Sequence, residues 1–420
     1  MHILDAQDPF QALTSSFDMP HHQGEALTYL NGNSLGPKLK HVDEAILSQC
    51  QQWGEMGVRG HFDGEQPWIS FQETMHPMLS KLVGADVKEV CAMGTLTGNL
   101  HLLLMSFYRP TLRRYKVLRM AGFPSDSYAI DSQIQQRLQT VRDFSVDDSL
   151  LENAVITLYP DEDGYIAMSR ITEILQRQGE QIALVFFEAV HYLTGQRFDI
   201  RAITALAHQY GSMVGFDLAH GIGNIPLLLH DWDVDFAVWC HYKYVCAGPG
   251  AVAGFYIHER YLNDTQFRLS GWWGNTPKTR FEMRTTFEPV LSACGWQLST
   301  PEMFSLVSLH ESLRFFGKLG LQAYYRKNNR LTHYLIERLK EHQDHLDIIT
   351  PQHSEEHGCQ ISFSFKNLEI KVQLEHLFLA HQIVCDVRPG VVRVAPIGLY
   401  NTYEDIDYFI SILRYIISGV

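Results

Sequence analysis

"IALVFFEAVHYLTGQRFDIRAITALAHQYGSMVGFD", residues 182–217, is the stretch that decides the fold. Its first nine residues, 182–190, are apolar except for Glu188. Such a run predicts a strand buried on both faces. Residues 200–211, "IRAITALAHQYG", have helical spacing, and "MVGFD" (213–217) is again a strand. The pattern continues outward on both sides. "NAVITLY" (153–159) reads as a strand, "MSRITEILQRQ" (168–178) as a helix and "VDFAVWC" (234–240) as a strand. Strand–helix–strand alternation with near-continuous apolar strands predicts a parallel sheet covered by helices on both faces.

The character changes after residue 300. Helical patterns run from "PEMFSLVSLHESLRFF" (301–316) to "RLTHYLIERLKEH" (330–342). Two apolar strands follow, "GCQISFSF" (358–365) and "GVVRVAP" (390–396), and then a last helix, "YEDIDYFISILRYIIS" (403–418). The expected organisation is an α/β protein in three parts. Residues 1–50 form an N-terminal segment packing on the small domain, 51–300 a large domain with a mainly parallel sheet sandwiched by helices, and 301–420 a smaller α+β domain.

Composition narrows the function. A net charge of −13 argues against nucleic acid as the partner, because phosphate binding needs a basic face. The seven cysteines are scattered and form no C-x-x-C pair, so neither a disulfide framework nor a structural zinc site is expected. They read as buried thiols of a reducing compartment. "MHILDAQDPF" lacks the basic start and apolar core of a signal peptide, and no apolar run approaches the ~20 residues of a membrane span. The expectation is a cytoplasmic protein with no membrane partner.

In a parallel sheet, chemistry gathers at the carboxyl ends of the strands. Asp217 closes "VGFD" and is followed by His220, "HYLTG" (191–195) follows the strand ending near Val190, and Lys243 lies just past "VDFAVWC". A lysine held in apolar surroundings has a lowered pKa, and its neutral amine attacks carbonyl carbon. That is the requirement for a Schiff base with pyridoxal phosphate (PLP). A PLP site also needs a carboxylate for the pyridine nitrogen, for which Asp217 is the candidate. It needs backbone donors at a helix start, for which "MGTLTGNLHLLL" (93–104), with Thr95 and Thr97, is suited. It needs a flat partner for the ring, and "GFPSDSY" (122–128) offers Phe123.

Each residue also has a plainer reading. A lysine after a strand often just extends its stem along the surface, and an aspartate there often forms a turn. "GTLTGN" without G-K-[ST] can be simple helix capping, and Phe123 can be core. His220 and His191 can be satisfied core histidines. Asp217 and His220 have i, i+3 spacing among 21 histidines, but no H-E-x-x-H set accompanies them, so no metal is expected. Arg393, mid-strand in "VVRVAP", needs a partner for its buried charge, either an internal carboxylate or that of a ligand.

Taken together, "LNGNSLG" (30–36), "FPSD" (123–126), "GFDLAH" (215–220), "CHYKY" (240–244) and "VRVAPIGLYN" (392–401) resemble the kynureninases. These are fold-type-I PLP enzymes related to the cysteine desulfurases and class V aminotransferases. The resemblance runs from about Leu30 to Asn401. It implies a PLP-dependent transferase-like fold of type I and a homodimer with a shared active site. The implied reaction is hydrolysis of L-kynurenine to anthranilate and L-alanine, with 3-hydroxykynurenine as the related substrate giving 3-hydroxyanthranilate. That would place the protein in tryptophan catabolism and NAD biosynthesis.

The resemblance also assigns roles. Lys243 would hold PLP and move protons at the substrate Cα and the cofactor C4′. Asp217 would pair with the pyridinium nitrogen, His220 would line the ring pocket, and Phe123 would stack on the ring with Asp126 beside it. Leu96 and Thr97 would bind the phosphate. Tyr242 would reach the phosphate and donate a proton to the cleaved carbon. Trp272 and Thr300 would complete the phosphate side from the partner subunit. Arg393 would clamp the substrate carboxylate, a task suited to its planar fork. His61 and Trp68, with Ser299 and Thr300 nearby, would face the substrate ring. Glu188 departs from the family pattern, which has a small hydroxyl residue near that position. Glu188→Ser is therefore expected to shift the visible spectrum of the bound cofactor. The rival readings are another fold-type-I reaction such as cysteine desulfuration, for which Cys385 is the one cysteine near Arg393 in sequence, and a PLP-binding protein without activity.

Overall fold

A computed structural model describes residues 3–6, 8–140, 152–162, 164–263, 267–367 and 374–419. The main sheet has seven strands: β1 (Val90–Ala92), β2 (Lys116–Met120), β3 (Val155–Leu158), β4 (Ile182–Glu188), β5 (Met213–Asp217), β6 (Phe236–Trp239) and β7 (Gly254–Ile257). Their spatial order is β1-β7-β6-β5-β4-β2-β3. Neighbours from β6 to β3 are parallel, and β7 runs antiparallel to both β6 and β1. Every residue of β4 is buried, as its apolar run predicts.

The two faces of the sheet carry separate apolar layers. Phe186 points into one, with Leu100 and Leu103 of α3 (Leu96–Phe107) and Ile130 and Ile134 of α4 (Pro124–Thr140). Phe187 points into the other, with Leu175 of α5 (Met168–Gln178), Ile203 of α6 (Ile200–Gln209) and Leu309 of α7 (Met303–Gly317). Burying each such phenylalanine contributes roughly 1.5–3 kcal/mol. This layer also takes in α1 (Val42–Met56) through Val42 and α2 (His76–Val83) through Leu79 and Leu82.

The C-terminal sheet is antiparallel, in the order β8-β9-β11-β10. Its strands are β8 (Leu346–Ile348), β9 (Ile361–Phe365), β10 (Asp386–Arg388) and β11 (Val391–Val394). It packs on α8 (Leu321–Lys340) and α9 (Tyr403–Ser418) through Leu331, Leu335, Phe363, Val394, Phe409 and Leu413. Thr402 and Asp405 cap α9 reciprocally, and Asp5 accepts the N–H groups of Tyr403 and Glu404. The N-terminal segment joins both cores. Leu30 belongs to the C-terminal core, while Phe17 and Leu39 belong to the main one. No helix among the described residues is long and apolar enough to cross a membrane.

Candidate active site

The register of β4 and β5 sets Glu188 directly opposite Asp217 at the carboxyl ends of two parallel strands. Two carboxyls therefore stand side by side below the surface. Asp126, on the first turn of α4, brings a third. All three are buried. Asp217 accepts the Ala219 N–H at 2.6 Å. Glu188 accepts the N–H groups of Phe123 and, at 2.6 Å, of Tyr192. Neither oxygen of Asp126 meets a donor among the described residues. Burial, and then the charges of Asp217 and Glu188, hold the Asp126 carboxyl well above its usual range. Burial, and then Glu188, pushes Asp217 up to about 6. Burial pushes Glu188 up to about 7, against the opposing pull of its backbone donors, Lys243 and Arg393.

Lys243 faces this cluster from the loop after β6. The loop is rigidly held. His241 accepts the Trp239 indole N–H on Nε2 at 2.7 Å and donates from Nδ1 to the Val252 carbonyl at 2.5 Å. Ser308 and Ser312 of α7 bind the carbonyls of Ala247 and Val245. The "LNGNSLG" segment lies against it, with the Gly36 N–H donating to the Tyr242 carbonyl at 2.8 Å. A Cβ at Gly36 would sit 2.5 Å from the Lys243 carbonyl oxygen, so only glycine allows this approach. The Lys243 ammonium lies 6.0 Å from the Phe123 ring centre and 5.9 Å from that of Tyr242. Its surroundings are not apolar, as the sequence suggested, but rich in carboxyls.

The opening above Lys243 is a cavity of about 70 Å³. It is lined by Leu96, Thr97, Phe123, Glu188, Asp217, His220, Tyr242 and Lys243, all eight of them anticipated from the sequence. Thr97, at the start of α3, is hydrogen-bonded to Ser125, at the start of α4, across 2.7 Å. Two helix N-termini thus converge on one spot, with Thr95 capping the first. Their N–H groups suit an anion. Phe123 is 45 % exposed, so it is no core residue, and its ring meets Tyr192 edge-on. His220 and His191 part company here. His191 accepts from Leu193 and Thr194 on Nδ1 and meets the Ala121 carbonyl on Nε2, so it is a satisfied structural histidine. His220 leaves Nδ1 without a partner among the described residues, and burial followed by the charge of Lys243 holds its pKa well below the usual range. Burial, then Cys240, pushes the Tyr242 phenol above its usual range and keeps it a proton donor.

Arg393 lies deeper, on β11, and its partner is internal. The β10–β11 hairpin sets Asp386 opposite Arg393, and the two form an ion pair through Nη2. Nη1 donates to the Tyr192 carbonyl at 2.6 Å, while Nε has no partner among the described residues. The guanidinium is therefore held behind Tyr192, which lines the cavity, and Nη2 also reaches Ser34 Oγ at 3.4 Å.

Besides Asp126 and Arg393, five anticipated residues do not line the cavity. Trp272 is 44 % exposed and donates to the Arg280 carbonyl, and Ser299 and Thr300 are exposed. His61 and Trp68 meet edge-on at 5.2 Å, and Trp68 donates to Gln49. A chain of rings links His61 through Phe62 and Phe281 to Trp272, and these last three are exposed. The sequence missed Ser125, Tyr192 and Asp386. Ser125 sits inside the quoted "FPSD", and a hydroxyl one residue past Pro124 at a helix start was its signal.

Chemically, the site combines an amine, a surplus of buried carboxyls, an aromatic face and two helix N-termini. It suits a flat ligand with a cationic ring, an anionic tail and a carbonyl carbon within reach of Lys243. The carboxyl surplus has a measurable consequence. The folded protein holds a proton on Glu188 that the unfolded chain has already lost between pH 4.5 and about 7. The stability from that proton is full below pH 4.5 and is lost as the pH rises to about 7. In the ligand-free protein, the stability difference between wild type and Glu188→Gln should therefore shrink or reverse across this window by about 3 kcal/mol, then level off. Urea unfolding at a series of pH values checks this, and a pH-independent difference contradicts it.

Comparison with known proteins begins with the class. The Aminotransferase class-V family matches residues 150–409. Solved structures agree on the fold. The cysteine desulfurase CsdA from Escherichia coli superposes with a TM-score of 0.75 over 99 % of both chains at 16 % identity. A C-DES variant with glycine covalently linked to its PLP cofactor also gives 0.75, over 93 % of this chain and 96 % of its own. Nearer in sequence are kynureninases from Stenotrophomonas maltophilia and Myxococcus xanthus. Both are 42 % identical, over 97 % and 98 % of this chain and 95 % of theirs. The chain belongs to the kynureninase family, within the class-V aminotransferases.

Proposed function

We propose that the protein is a PLP-dependent hydrolase that converts L-kynurenine and water to anthranilate and L-alanine. One observation carries this reading: Lys243 faces Asp217, His220 and Phe123 in one cavity, in a chain 42 % identical to kynureninases over nearly its whole length. The residues fit PLP. The unpartnered Asp126 oxygens and the carboxyl surplus call for a cation, which a protonated pyridine ring supplies. The Thr97–Ser125 cradle calls for a phosphate. Bound PLP contributes an electron sink for negative charge at the substrate Cα.

Around it, each side chain has a task. The Lys243 amine holds the cofactor, yields its place to the substrate amine and then carries the Cα proton. Asp217 keeps the ring nitrogen protonated, with Asp126 supporting its charge. Phe123 covers the ring face, and neutral His220 offers the free Nδ1 to the ring side. Leu96 and Thr97 bind the phosphate. Glu188 holds the loops of Phe123 and Tyr192 in register. Water adds to the γ-carbonyl, the Cβ–Cγ bond breaks, and Tyr242 delivers a proton to the freed carbon. Arg393, oriented by Asp386 and Tyr192, receives the substrate carboxylate. Arg393→Ala should raise KM by about 10–100-fold, the value of a lost charge-assisted contact, with a smaller change in kcat. Steady-state kinetics on L-kynurenine decide this, and an unchanged KM removes the clamp.

The shared site is part of the same proposal. Trp272 and Thr300 reach the phosphate of a partner subunit, and His61, Trp68 and Ser299 face the substrate ring. The exposed rings of Phe62, Phe281 and Trp272 support a homodimer, because apolar surface of this kind is buried on association. The proposal extends to three parts, 1–50, 51–300 and 301–420, and to a cytoplasmic enzyme of tryptophan catabolism and NAD biosynthesis. Pairing of Thr28–Tyr29 with Ile383–Val384 supports an N-terminal segment tied to the C-terminal part. Desulfuration is disfavoured, because it needs a mobile cysteine, and Cys385 is buried with its thiol pKa pushed up by burial.

The test is product analysis in ¹⁸O-water. Hydrolysis predicts anthranilate and alanine in equal amounts, with one labelled oxygen in the anthranilate carboxylate. Sulfide and alanine from L-cysteine, with no anthranilate from kynurenine, would overturn the proposal.

A further inference from the structure

Away from the cavity, at the β1 edge of the main sheet, three soft ligands meet. His76 opens α2, Cys91 is the middle residue of β1, and Cys294 lies in the turn Ala293–Trp296. One ring nitrogen and two sulfurs lie within 4.8 Å of one another. The Cys294 sulfur is 3.8 Å from His76 Nε2. A tetrahedral zinc with Zn–S near 2.3 Å and Zn–N near 2.0–2.1 Å separates its ligand atoms by about 3.5–3.8 Å, so small side-chain shifts complete the geometry. Cys91 is fully buried, with its sulfur 3.4 Å from the Gln72 amide. That amide is fixed in turn, because it also donates to the Ala92 carbonyl and its oxygen accepts from Gln297. His76 and Cys294 line a groove with Glu73, Lys88 and Arg280, while Cys91 lies behind them.

Chain positions 76, 91 and 294 are too far apart for any spacing motif, so the sequence could not reveal the group. Among the described residues one further set clusters, Glu89, His230 and His258, and it differs. The Glu89 carboxylate already accepts from the backbone of Asp86 and Glu259 and pairs with His230.

We propose that His76, Cys91 and Cys294 form a binding site for a thiophilic divalent cation with the chemistry of Zn²⁺, whose fourth position opens to the groove. Coordination displaces the thiol protons to solvent and requires no redox partner. The bound ion would cross-link β1, which leads into Leu96 and Thr97, to the segment between Trp272 and Thr300.

The experiment uses the full-length, untagged, PLP-loaded protein, reduced and stripped of metal. Zn²⁺ is added by equilibrium dialysis and counted per chain, and Co²⁺ serves as the spectroscopic probe. The expected result is one tight Zn²⁺ per chain, with intense tetrahedral cobalt absorption and sulfur-to-cobalt charge transfer. His76→Gln and Cys294→Ser should each weaken binding by about a hundredfold or more, while turnover without added metal stays at the wild-type level. Failure of the reduced wild type to retain Zn²⁺, or equal retention by His76→Gln, overturns the proposal. A loss of two hydrogens on mild oxidation, with no Zn²⁺ retained under reducing conditions, would make Cys91 and Cys294 a redox pair and would also overturn it.

Discussion

Lys243→Ala abolishes turnover of L-kynurenine, with a fall of at least about a thousandfold in kcat. Two losses combine in that value. The variant would lack the amine proposed to hold the cofactor and the base proposed to carry the Cα proton, a role worth roughly 10²–10⁴ alone. No neighbour replaces it. His220 is held neutral and far below its usual pKa, and the Tyr242 phenol is too weak an acid to become a base near neutral pH. Asp217 and Glu188 are engaged with backbone N–H groups, and burial holds the Asp126 carboxyl well above its usual range. The fold should survive, because the loop is pinned by its backbone and by His241, Ser308 and Ser312 rather than by the Lys243 side chain. The checks are single-turnover kinetics and borohydride reduction followed by peptide mass analysis. Wild type should carry the reduced pyridoxyl group on Lys243, and the variant should carry none. A variant with most of its activity intact sinks the assignment.

Asp217→Ala weakens cofactor retention and chemistry together. Removing one partner of a buried charge pair costs roughly 3–5 kcal/mol, or about two to three and a half powers of ten. In the ligand-free protein the three carboxyls repel one another, and burial and Glu188 raise Asp217 to about 6. A cationic ring would reverse this balance and favour an ionised Asp217. Asp217→Asn separates the effects. It keeps the size and the contact to Ala219 but cannot hold the ring nitrogen protonated, so kcat should fall more than PLP affinity. PLP titration followed by visible absorbance, beside steady-state rates, reads both. Equal kcat in Asp217→Asn and wild type would move the ring's counter-ion elsewhere.

Much of this site could be read in the sequence because its parts sit at strand ends. The strand Met213–Asp217 and the helices Met168–Gln178 and Tyr403–Ser418 fall where the apolar pattern puts them. Since β4 and β5 are parallel neighbours, strand-end residues become spatial neighbours, and Glu188 meets Asp217. What escaped depends on pairing between strands. Asp386 and Arg393 are brought together by a hairpin whose turn uses Gly390 at φ +81°, and no spacing rule shows that register. The antiparallel β7 lies within an alternating α/β pattern that favours parallel pairing, so its direction was hidden. The helix Pro124–Thr140 begins in the loop that supplies Phe123, and its polar sequence, "PSDSYAIDSQIQQRLQT", masks the apolar positions Ala129, Ile130, Ile134 and Leu138. Trp272, Thr300 and Ser299 stand apart from the cavity of their own chain, and nothing in their sequence context shows that separation.

The central claim is cleavage of kynurenine at this cavity. Its most direct measurement is the initial rate of anthranilate fluorescence on mixing PLP-reconstituted protein with L-kynurenine, with the cofactor's visible band recorded in parallel. The account predicts prompt anthranilate release that depends on Lys243. A cofactor band with no anthranilate from either kynurenine or 3-hydroxykynurenine would contradict the proposed reaction, and the absence of any band would contradict the PLP site itself.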